Sequence, residues 1–141
     1  MNITLKRAWI TTGIFGSLFL FLVVYFLIIG GENFLDKQVH IVLCSLLVAI
    51  ALISFGALMF FTNKKSNIVD ERDYTIQRKA SSVGLVLSLM YVFLVSMVMF
   101  VIYEADLYLP VGWLWFIAYS TLSFGYFITS LVHILYYYKE N

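Results

Sequence analysis

Four runs of this chain, 9–29, 41–61, 83–103 and 111–136, contain no Asp, Glu, Lys or Arg. The shortest of them, at 21 residues, reaches about 32 Å as a helix at about 1.5 Å per residue. A hydrocarbon core is about 30 Å thick, so each run is long enough to cross one. Lipid offers no partner to a backbone amide or carbonyl, so each run must pair its own backbone as a helix.

The fold expected is therefore all-α: a polytopic membrane protein forming one antiparallel four-transmembrane-helix bundle. Residues 1–141 make a single membrane domain, and residues 62–82 form its central loop. Composition agrees, because only 12% of 141 residues are charged, against about a quarter in soluble domains. Little chain is left over for a soluble domain. Although Lys6 and Arg7 precede the first run as in a secretory signal, the run exceeds the usual apolar length of about 7–15 residues. Ile28-Ile29-Gly30-Gly31-Glu32 also lacks a clear small-x-small cleavage site. The run is read as a retained helix.

Orientation follows from Lys and Arg, which resist translocation. Lys6, Arg7, Lys64, Lys65, Arg72, Arg78, Lys79 and Lys139 fall on one side, and Lys37 alone on the other. Both termini and the 62–82 loop are thus expected in the cytoplasm, in a multi-pass protein of the cell membrane. The outer connections carry Glu32, Asp36, Glu104 and Asp106. Trp9 and Tyr136–Tyr138 mark one interface, and Tyr103, Tyr108, Trp113 and Trp115 the other, as aromatic belts do.

Catalytic and metal chemistry find little support. Cys44 is the single cysteine, which excludes an intrachain disulfide and a CxxC pair. Imidazole is a common metal ligand, but His40 opens the second run and His133 lies near the inner end of the fourth. Most of a bilayer separates them. No cofactor, metal site or catalytic residue is assigned. No long basic run points to nucleic acid, and the spans lack the membrane-buried glutamate on which small multidrug carriers depend.

On the fourth helix, Ala118, Thr121, Gly125, Thr129 and His133 recur every three or four residues and form one stripe. Small residues let helices approach closely in lipid, so the stripe is read as a packing seam, with a polar path ending at His133 as the alternative. Shorter seams are Gly13/Ser17, Ser45/Ala49 and Gly84/Ser88. They join helices within one chain or between two copies.

The patterned polar segment is the central loop. Asp70 suits a helix N-cap, and Glu71 and Asp73 suit the first turn, so a helix is expected from near Glu71 into the third span. Tyr74 and Arg78 are one turn apart, close enough for a ring–guanidinium contact. Lys64, Lys65, Arg78 and Lys79 would also meet anionic headgroups.

Asp70-Glu71-Arg72, then Ile76, then Lys79-Ala80 resembles the D-E-R-x3-I-x2-K-A motif of a domain-of-unknown-function family. That family comprises small prokaryotic four-helix membrane proteins. The resemblance implies topology and an important cytoplasmic segment, and it supplies no activity. Asp70, Glu71, Arg72, Ile76, Arg78 and Lys79 form the candidate interaction motif. The function expected is a non-enzymatic membrane accessory or regulatory protein whose cytoplasmic loop contacts a protein partner. The alternative is a small transporter, channel or antimicrobial-peptide immunity protein, as a monomer or a dimer.

Overall fold

The computed structural model describes residues 3–65, 71–105 and 108–139, with the side chains of all but 62–65. The described residues form four α-helices: α1 (Ile3–Asn33), α2 (Gln38–Lys65), α3 (Glu71–Tyr103) and α4 (Val111–Lys139). Each is long and apolar enough to cross a membrane. The outside of the bundle says the same. Leu27 and Ile28 on α1 and Ile53 on α2 are more than 70% exposed, and α3 presents Leu89, Phe93, Phe100 and Val101 outward. An apolar exterior of this extent belongs in lipid.

The helices overrun the charge-free segments. α1 starts before Lys6 and α2 continues through Lys65, while α3 runs unbroken from Glu71 through its apolar run. Most of the 62–82 connection is thus helical, and only 66–70 lie outside the described residues, Asp70 among them. Local chemistry explains the ends. Gly30 adopts φ +76°, a conformation that glycine enters without steric cost, and it breaks the last turn of α1. Pro110 precedes α4 and its carbonyl accepts from the Trp113 amide at 3.0 Å, a position where proline loses nothing.

Burial in α1 falls on Leu5, Ala8, Thr11, Phe15, Leu18, Leu22 and Phe26, a three-and-four spacing that keeps one face toward neighbours. That face meets α4 along its length: Leu5 and Ala8 cluster with Ile134, Phe15 stacks on Tyr126 at 4.6 Å, and Phe26 packs on Phe116 at 5.1 Å. α4 also lies against α3, and α2 packs on α1. Cys44, Val48 and Ala51 supply the α2 side of the main core. Across α1, α3 and α4, Phe19, Tyr91 and Phe124 form a ring cluster with centroids 4.5–5.7 Å apart.

Candidate functional site

The first turns of α3 divide the charged segment between two environments. Asp73, Ile76, Ala80 and Gly84 are buried, whereas Glu71, Arg72, Tyr74, Arg78 and Lys79 are exposed. Spacings of three, four and four residues place the buried set on one line of the helix. Ile76 is fully enclosed and Asp73 is 5% exposed. Thr4 of α1 donates its hydroxyl to Asp73 Oδ2 at 3.2 Å. The Arg72 guanidinium lies over the Tyr137 ring of α4 at 5.7 Å. The cation–ring contact in this region thus joins α3 to α4, while Tyr74 points away from the bundle, 67% exposed.

On α4 the stripe does not behave as one unit. Where α3 and α4 touch most closely, Gly84 faces Thr129 so tightly that a Cβ there would collide with it, and Ser88 faces Gly125. His133, one turn further, is 6% exposed. Thr121 is half-buried, and its hydroxyl lacks a hydrogen-bond partner among the described residues. Ala118, by contrast, is exposed. The reason is that the first half of α4 buries the line Gly112, Phe116, Ser120 and Ser123, with Gly112 against Gly31 and Phe116 against Phe26 of α1. Ala118, two residues or about 200° from Phe116, points elsewhere. Gly13 and Ser17 are likewise exposed, offset from the buried line of α1. The Ser45 hydroxyl pairs with Tyr119, while Ala49 faces outward.

Around Arg7, polar groups from three helices converge. A cavity of about 350 Å³ is bordered by Arg7 and Thr11 of α1, Gln77 of α3, and Thr129, Ser130 and His133 of α4, with Phe55 and Met59 of α2 on its apolar side. His133 lies within electrostatic reach of both Arg7 and Asp73. Among the described residues its Nε2 has no hydrogen-bond partner despite full burial. The Thr11 hydroxyl donates to the Arg7 carbonyl at 2.9 Å. The half-buried Arg7 guanidinium has no ion pair among the described residues. A second, shallower space of about 460 Å³ runs along the α3–α4 surface and shares Ser81, Tyr126 and Thr129 with the first.

Compared with known proteins, the chain matches no family model, no curated protein and no solved structure.

His40 sits at the other end of α1, where its Nδ1 pairs with the Tyr25 hydroxyl at 2.7 Å. Tyr25 is 18 residues from Arg7, or about 27 Å of helix, so the two histidines serve different places. Among the described residues, no three His, Cys, Asp or Glu side chains cluster as metal ligands do. Cys44 is buried in the core. The residues that sequence reasoning passed over are Asp73, Arg7 and Gln77. The signal for Asp73 was its place three residues before Ile76 and seven before Ala80, on the helix line that meets α1 and α4.

Proposed function

We propose that the protein is a non-enzymatic accessory or regulatory component of the cell membrane that holds one charged helical face toward a cytoplasmic protein partner. In this reading the bundle is antiparallel and both termini are cytoplasmic. Contacts of Leu5 with Ile134 and of Gly31 with Gly112, at opposite ends of α1 and α4, support the antiparallel arrangement. The one-sided distribution of Lys and Arg supports the orientation.

The observation that carries the proposal is the division of the first α3 turns. Asp73, Ile76 and Ala80 tie the segment to the bundle, so Glu71, Tyr74, Arg78 and Lys79 stand on a fixed helix. A preordered face loses less conformational entropy on binding than a free loop does. The resemblance of this segment to the D-E-R motif family is consistent with an important cytoplasmic element.

Affinity capture from gently solubilised membranes tests this. The wild-type chain is compared with a Glu71→Lys/Arg78→Glu double variant, whose residues are exposed and whose change leaves folding intact. A specific partner should be depleted at least about tenfold, the loss of roughly 1.4 kcal/mol. If every specific partner is retained, the face is not the contact.

A further inference from the structure

We propose that the Arg7–His133 cavity and the groove joined to it form a binding site for one anionic phospholipid of the inner leaflet. The phosphodiester headgroup lies in the cavity and an acyl chain in the α3–α4 groove. The word inner rests on the orientation proposed above, whereas the binding chemistry does not.

Three observations converge. First, three residues able to donate, Arg7, Gln77 and Ser130, border a space of about 350 Å³. Arginine matches phosphate oxygens with two parallel hydrogen bonds. Second, His133 is 6% exposed with Nε2 unpartnered among the described residues. A buried polar group left so is costly, and a ligand oxygen reaching it removes that cost. Asp73 is close to His133, but it accepts from Thr4, so an acid contributes to the surroundings and Arg7 supplies the charge on the cavity wall.

Third, the space continues in the direction an acyl chain requires. Ser81, Tyr126 and Thr129 border both spaces. From Ser81 the groove runs past Leu85, Ser88 and Leu89 to Val92. Those 11 residues of rise span about 16 Å, the depth of one leaflet in a hydrocarbon core about 30 Å thick. A free phosphate would fill the polar cavity and leave this groove without purpose. A phosphatidylglycerol headgroup also offers hydroxyls to Gln77 and Ser130, which a choline headgroup cannot.

Native mass spectrometry of the full chain, delipidated in mild detergent, decides the matter with three probes: phosphatidylglycerol, phosphatidylcholine and inorganic phosphate. One phosphatidylglycerol should bind at least about tenfold more tightly than phosphatidylcholine. Arg7→Gln should weaken phosphatidylglycerol at least about tenfold, since a hydrogen bond to a charged group carries about this weight, whereas Lys37→Gln at the far end should leave its binding intact. Ser81→Phe alters an exposed residue where the two spaces meet, and should weaken phosphatidylglycerol without affecting inorganic phosphate.

Equal binding of the two lipids, or unchanged phosphatidylglycerol binding in a folded Arg7→Gln variant, overturns the site. Inorganic phosphate displacing phosphatidylglycerol at equal concentration, with Ser81→Phe silent, overturns the lipid and leaves a soluble phosphate site. Thermal unfolding of each variant separates lost binding from lost folding. Orientation is read independently. In a Cys44→Ser background, an impermeant maleimide should label Lys37→Cys on intact cells and Lys79→Cys only after permeabilisation. The reverse pattern would sink the cytoplasmic reading without touching the detergent result.

Discussion

The two ends of the bundle handle polar groups in opposite ways. At the end near Gly31, the half-buried polar rings pair with one another: Trp113 Nε1 donates to the Tyr103 hydroxyl at 2.6 Å, and Tyr25 pairs with His40. Phe26, Phe34 and Phe116 close the space between them, and Gly31 and Gly112 bring α1 and α4 into backbone contact. The larger space at this end, about 670 Å³, is bordered mainly by apolar side chains such as Met99, Phe100 and Ile117, with Ser96, Glu104 and Tyr108 beside them. At the Arg7 end the walls mix polar and apolar side chains, Arg7 is half-buried and His133 buried, and Nε2 of His133 lacks a partner among the described residues. At one end the half-buried polar rings carry their own partners. At the other a buried polar atom has none among the described residues, and a few polar groups in a largely apolar pocket are the usual make-up of a binding site.

If the Gly31 end is the structural clamp, removing its central ring should have the largest effect. Phe26 is 1% exposed and touches Phe34, Trp113 and Phe116. In a water-soluble core, Phe→Ala costs about 3–5 kcal/mol. Transfer from water plays little part between helices in lipid, so Phe26→Ala should cost less, about 2–3 kcal/mol. Reversible unfolding in mixed micelles measures it. A cost under about 1 kcal/mol would show that the clamp lies elsewhere.

The next effect is smaller and tests pairing alone. Tyr103→Phe keeps both aromatic rings in place while deleting the hydroxyl that accepts from Trp113 Nε1. Side-chain hydrogen bonds in membrane bundles average about 0.6 kcal/mol, and the same unfolding assay should return a loss of that order. A value near zero would remove polar pairing as a difference between the ends and leave only packing.

Hydropathy and charge count made the four spans legible, because both depend on long averages that no single contact can overturn. The seams were less legible. Small residues at four-residue spacing occur on every helix, yet Gly84/Ser88 meets Thr129/Gly125 while Gly13/Ser17 faces outward. Spacing reports that a line exists and leaves open which line a neighbour covers. The Arg7 cavity was hidden for a related reason. Its members are scattered from Arg7 to His133 along the chain, and only the juxtaposition of α1, α3 and α4 brings them together. Asp73 reads in sequence as one more first-turn acid beside Asp70-Glu71-Arg72, whereas burial follows the line it shares with Ile76 and Ala80.

The smallest expected effect discriminates most between the two ends. His133→Leu swaps a buried imidazole for an apolar side chain of comparable size. If His133 were a structural group bonded within the bundle, this would strand its partner and cost at least about 1–3 kcal/mol. Because Nε2 has no partner among the described residues, the substitution removes an unpaired polar atom. Stability in lipid-free micelles should therefore stay within about 0.5 kcal/mol of wild type, or rise. Added phosphatidylglycerol should then separate the two proteins, since a ligand that binds only the folded state stabilises it in proportion to its occupancy. The wild type should gain and His133→Leu should gain less. A variant that loses stability without lipid and gains normally with it would make His133 a fixture of the fold, and the contrast between the ends would rest on Arg7 alone.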